Sequence, residues 1–127
     1  MSVLAVFLGG MIGTALRLGG DALLPHEAHA FPWSTLAINV LGSFVLGMLV
    51  TRVWPVAPAW LRAGLGAGVL GSFTTFSAVI VSLLEMEGAG DALGALFYAV
   101  ASVVLGLAAA AAGLAFGRRP MPGEGRA

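Results

Sequence analysis

Gly64-Leu65-Gly66-Ala67-Gly68-Val69-Leu70-Gly71-Ser72-Phe73-Thr74-Thr75-Phe76-Ser77 decides how this chain is read. Glycines 64, 66, 68 and 71 are followed by Ser72, Thr74, Thr75 and Ser77, all inside an apolar stretch at residues 60–84. A stretch of that length crosses a hydrocarbon core of ~30 Å as a helix. Glycine and hydroxyl residues make a helix easy to interrupt near mid-membrane. An interruption frees carbonyl oxygens, which protein, water or a hard cation must satisfy. Unwound backbone of this kind coordinates sodium in several transporter folds. The same residues also fit a plain kink whose backbone is satisfied again by Ser and Thr side chains.

Outside this segment three more apolar stretches are long enough to span, at residues 2–24, 31–53 and 92–116. Each is continuously apolar, without the alternation of a membrane barrel, so helices are expected. Composition agrees. Of 127 residues, 59% are hydrophobic and only 9% charged, with a mean hydropathy of +1.00. A soluble domain carries about a quarter charged residues, so an ordinary soluble globule and a disordered chain are excluded. A net charge of zero excludes binding to nucleic acid through positive charge. The fold class expected is an all-α membrane protein with four transmembrane helices in residues 1–117 and a short polar tail at 118–127. Cysteine is absent, which removes disulfides, thiolate metal sites and a cysteine nucleophile.

The connections are readable. Pro25 and Pro32 bound the first loop, Trp54, Pro55, Pro58 and Trp60 mark the second, and Glu85, Glu87, Gly88, Gly90 and Asp91 mark the third. Ala28-His29-Ala30 has the small residues of a cleavage site, but no positive charge precedes the first apolar run, so no removable leader is expected. His26 and His29 are three apart rather than four, in a Pro-bounded loop, so the metalloprotease motif does not apply. An enzyme is not expected.

An even number of spans puts both termini and the second loop on one side, with Arg52, Arg62, Arg118, Arg119 and Arg126. The other side has at most Arg17, with Asp21, Glu27, Glu85, Glu87 and Asp91. Arginine excess marks the cytoplasmic face, so both termini are expected there, in a multi-pass protein of the cell membrane. Glycines four apart (Gly9 and Gly13, Gly64 and Gly68, Gly90 and Gly94) suggest close helix contacts. Four short helices enclose little space, so an oligomer is expected.

Several side chains need partners within the membrane. Arg17, late in the first span, either snorkels to the interface or supplies positive charge to an anion vestibule. Asn39, near the middle of the second span, bonds another helix or a passing ligand. Phe73 and Phe76 are packing residues or, through the positive edge of the ring, part of an anion path. Tyr98 and Ser102 are one turn apart in the fourth span and share a face. They could form a polar track, or Tyr98 could sit at the interface.

Three patterns in order resemble the Fluc family of bacterial fluoride channels: Gly9-Gly10 to Arg17, Thr35-Leu36 through Asn39 to Gly42-Ser43-Phe44, and Gly71-Ser-Phe-Thr-Thr-Phe-Ser77. The resemblance covers about residues 5–106. It implies an antiparallel, dual-topology dimer with two fluoride pathways. It implies a structural, untransported Na+ at the dimer centre, bound by backbone oxygens of Gly71 and Thr74. Asn39 and Phe76 would line the pathway, with Ser77, Tyr98 and Ser102 as polar-track candidates, and Arg17 would be the vestibule arginine. The function implied is passive, selective export of fluoride. The anion is trapped in the cytoplasm when hydrogen fluoride dissociates there, and the membrane potential drives it out at about 2.3 kcal/mol per charge per 100 mV.

The chain departs from the family pattern at Val79, where a second phenylalanine is common, at Ala78, where threonine is frequent, and at Ser72, where glycine is common. Its arginine bias is also unlike a protein that inserts both ways. Some family members form heterodimers of oppositely oriented subunits, so a homologous partner of reversed orientation is expected, a homodimer being the other arrangement. Two further readings differ in class. A small proton-coupled multidrug exporter needs an intramembrane glutamate, which the first span lacks. A non-transporting assembly subunit would explain the glycines but not the Gly/Thr-rich segment beside Asn39.

Overall fold

The computed structural model describes residues 1–24, 30–120 and 122–123. The readings made of His26, His29, Ala28-His29-Ala30, Glu27 and Arg126 fall at least partly outside these residues. Helix α1 is Ser2–Leu23 and α2 is Trp33–Arg52, starting directly after Pro32. Helix α3 follows Pro58 and runs as Ala59–Ala63, the wider π-helical Gly64–Leu70 and a last α-helical turn Gly71–Phe73. Helix α4 is Ser77–Gly88 and α5 is Ala92–Gly117. The turn between α4 and α5 uses Gly90 at φ +82°, a conformation that glycine adopts without steric penalty. Asp91 then caps α5, its Oδ1 accepting from the Gly94 amide at 2.9 Å.

Among the described residues, four helical segments are long and apolar enough to cross a membrane: Ser2–Leu23, Trp33–Arg52, Ala59–Gly88 and Ala92–Gly117. Their outward faces carry exposed leucine, valine and phenylalanine, among them Leu93, Leu96, Phe97 and Leu107. Such a surface is stable only against lipid or other protein. The chain is a multi-pass membrane protein.

Glycines set how the helices pair. A Cβ on Gly9 would collide with the Gly64 carbonyl, and one on Gly13 with that of Val69, so α1 and α3 run together backbone to backbone. A Cβ on Gly47 would collide with the Ala110 carbonyl, and one on Gly113 with that of Phe44, so α2 and α5 do the same. Both pairs are parallel, since residue numbers rise together along each contact. Gly90 and Gly94 behave differently. Gly90 lies in the turn, and a Cβ on Gly94 would meet only the capping Asp91 carboxylate, so this pair joins no helices. The expectation drawn from its spacing is corrected here.

The third span changes partners along its length. Its first part lies on α1, whereas α4 lies on α5. On the α4 side a small core forms from Leu36, Val79, Met86 and Tyr98. Phe31 meets Tyr98 edge-on at 5.3 Å between ring centroids, a favoured aromatic arrangement. Residues 74–76 lie between the two parts of the span, and Thr74 is extended, at φ −77° and ψ 155°.

Candidate functional site

Beside residues 74–76 lies a cavity of about 520 Å3. Its polar lining comes from Asn39 and Ser43 of α2, Thr74 and Thr75, and Ser102 of α5, and its remaining wall is mostly apolar.

Asn39 is positioned by α2, half-buried and facing the third span. Its Nδ2 donates to the Thr75 carbonyl at 2.9 Å, and its Oδ1 accepts from the Thr75 amide at 2.8 Å. One carboxamide thus satisfies both polar groups of one residue, as a neighbouring strand would. Gly42, one turn on, makes room for this approach, because a Cβ there would collide with the Thr74 methyl.

These bonds redirect others. In an unbroken α-helix the Thr75 amide would donate to the Gly71 carbonyl. Here it donates to Asn39. The Ala78 amide would likewise reach the Thr74 carbonyl, but it donates to Thr75 Oγ1 at 3.2 Å. The carbonyl oxygens of Gly71 and Thr74 therefore lose their ordinary helical donors. Thr74 Oγ1 turns back to the Leu70 carbonyl at 2.9 Å, so the Thr74 hydroxyl does not compensate. Both residues line the cavity. Carbonyl oxygens without their helical donors are groups that a hard cation can take as ligands, though two are not a full set. Among the described residues, no cluster of three or more His, Cys, Asp or Glu is placed to hold a metal.

Asn39, Gly71, Thr74, Phe76 and Ser102 thus meet around one cavity. Phe76 projects outward, 79% exposed, beside the capped peptide of Thr75. Ser77 is exposed, and its Oγ lies 3.3 Å from Thr75 Oγ1, outside the cavity lining. Tyr98 is fully buried behind the cavity wall, so its ring packs within the protein and does not face lipid. The Tyr98 hydroxyl and Ser102 Oγ are buried and make no hydrogen bond. Arg17 lies apart from the cavity on the face of α1 that carries Gly13, and its Nε is buried without a partner. Val79 is buried in the core and also lines the cavity.

Sequence reading missed the roles of Thr75 and Gly42 and did not single out Ser82 at all. Thr75 is the residue that Asn39 holds. Gly42 is needed for Thr74 to approach, and its position three after Asn39 was the available signal. Ser82 is buried on the face of α4 that carries Val79 and Met86, against Tyr98. A lone serine between valine and leucine gave no sign of that.

The fold and site define a helical membrane protein with a largely apolar cavity beside its third span, into which a few polar side chains project. The chain belongs to the CrcB-like (Camphor Resistance, CrcB) family, whose model matches residues 4–114. It is 44% identical over 122 residues to a protein of Rhizobium etli named fluoride-specific ion channel FluC, covering 93% of this chain and 97% of the relative. Proteins of the same name from Thermus thermophilus (43% identical, 82% of this chain and 85% of the relative) and Paracoccus denitrificans (39%, 91% and 93%) are also similar.

Proposed function

We propose that this protein is a fluoride-selective channel that passively exports fluoride from the cytoplasm. The relatives' names supply the ion. The observation that supports the reading in this chain is the Asn39 clamp on Thr75, next to a cavity lined by both residues. Fluoride is strongly hydrated, so a narrow path must replace its water with donors while binding weakly enough to release the ion. The amide of Asn39, the unpartnered hydroxyls of Tyr98 and Ser102, the Ser77 hydroxyl and the ring edge of Phe76 suit that role. Arg17 contributes positive charge at the vestibule.

In this reading residues 74–76 form a functional break, and the Gly71 and Thr74 carbonyls hold a structural Na+. Two oxygens per chain are too few for a cation, so a second, antiparallel subunit would contribute its own pair at the two-fold centre. Bound sodium would supply a fixed positive charge close to the anion route. The arginine bias favours a fixed orientation with both termini cytoplasmic, and hence a homologous partner of opposite orientation. The exposure of Phe76 in a single chain fits a surface completed by that partner.

The test reconstitutes the chain into liposomes alone and with an oppositely biased homologue, following fluoride efflux by electrode and orientation by labelling a cysteine introduced in the tail. Efflux from the pair far above that from the lone chain is expected. Full efflux from the lone chain, labelled equally from both sides, would refute the heterodimer. No fluoride efflux in either preparation would refute the channel.

A further inference from the structure

The parallel packing of α2 and α5 brings their C-termini to the same membrane surface, where Gly117 admits Thr51. Arg52 ends α2, and Arg118 and Arg119 directly follow α5. The Arg52 guanidinium donates to the carbonyl of Arg119, docking the start of the tail onto the end of α2. Three guanidinium groups therefore share one rim, those of Arg118 and Arg119 exposed. A carbonyl acceptor does not neutralise Arg52. The two helix C-termini offset the cluster by roughly half a charge each, leaving about two positive charges. Among the described residues, the carboxylates Asp21, Glu85, Glu87 and Asp91 all lie at the other end of the bundle, near the ends of α1 and α4 and the start of α5.

We propose that this rim is a binding site for the phosphate headgroup of an anionic phospholipid. Guanidinium forks match phosphate geometry bidentately. A cluster placed at a helix end, at headgroup depth, meets that chemistry in an anionic leaflet. The site gives the arginine bias a local role: it holds this end of the α2–α5 pair to one leaflet, whatever ion the protein conducts.

Two tryptophans report on this side, Trp54 just after α2 and Trp60 in the first turn of α3. The experiment reconstitutes the full chain into phosphatidylcholine vesicles containing increasing brominated phosphatidylglycerol, and reads quenching of tryptophan fluorescence. Brominated phosphatidylcholine at matched fractions serves as the reference and accounts for the non-selective quenching of all three tryptophans, exposed Trp33 at the opposite end included. Quenching that saturates at a low fraction of the anionic lipid is expected. The double variant Arg118→Gln/Arg119→Gln should shift the midpoint about thirtyfold, from the usual attraction per arginine at an anionic surface. Glu87→Gln, at the far end, should not shift it. Both arginines are exposed, so the variant should fold, and an unchanged circular dichroism spectrum verifies this. Equal quenching by the two brominated lipids, or an unmoved midpoint in the double variant, would overturn the proposal. Loss of the preference in millimolar inorganic phosphate would overturn the lipid as occupant and leave a site for free phosphate.

Discussion

Replacing Asn39 by alanine removes both hydrogen bonds that hold the Thr75 peptide. Left unpaired, each bared backbone group costs about 1–3 kcal/mol, or roughly 2–6 kcal/mol for the two, and water entering the adjoining cavity lowers that sum. The chain has one local remedy. The Thr75 amide can turn back to the Gly71 carbonyl and rebuild the helical bond, which relieves part of that cost but consumes an oxygen assigned to the cation. Stability and conduction should therefore separate. Asn39→Ala is expected to lower thermal stability in detergent by less than the full sum, and to reduce fluoride efflux at least tenfold. Asn39→Asp is the companion variant. It keeps the acceptor for the Thr75 amide but sets an anionic oxygen against the Thr75 carbonyl and beside the proposed anion path, so it should be no more stable than alanine and should conduct less. Fluoride-electrode efflux and a melting curve on the same preparations read both quantities. Wild-type efflux from Asn39→Ala, or wild-type efflux from Asn39→Asp, would refute the reasoning.

Gly113→Ala should destabilise the α2–α5 pair by about 1–3 kcal/mol, because its Cβ meets backbone that cannot move aside, whereas Gly19→Ala, with open space around it, should change the melting temperature little. Phe76→Ala should leave the stability of the lone chain nearly unchanged, since the ring is largely exposed there, but should weaken the proposed subunit pair and lower its fluoride efflux. Replacing sodium by a bulky organic cation throughout purification should lower both stability and efflux, and restored sodium should recover them; identical behaviour in the two media would refute the cation site. Ser82→Ala should reduce efflux without loss of expression if its hydroxyl serves the Tyr98 end of the polar track, and unchanged efflux would limit that track to Tyr98 and Ser102.

The membrane class and four helices were legible because apolar length and charge scarcity are properties of the chain itself. Glycine spacing was a less secure guide. Gly9/Gly13 and Gly64/Gly68 do bring α1 and α3 together, whereas Gly90/Gly94, with the same spacing, straddles a turn and a helix start. The α2–α5 contact uses Gly47, Gly113 and Gly117, whose partners are backbone atoms of another helix. No spacing within one helix names a partner on another. At the candidate site, Asn39 was recognisable because a mid-span carboxamide must bond something. That it would hold the Thr75 peptide, and so redirect the donors of Gly71 and Thr74, depends on the register between α2 and the third span, which only the fold sets. Tyr98 shows the same limit, since its complete burial against Leu36 and Val79 follows from how α4 crosses onto α5.

Efflux of fluoride and chloride from one preparation of liposomes, containing this chain with the proposed oppositely oriented homologue and driven by a potassium diffusion potential, addresses the central claim most directly. Rapid electrogenic loss of fluoride, with chloride retained, is the predicted result. Retention of both ions, or equal loss of both, would contradict the account.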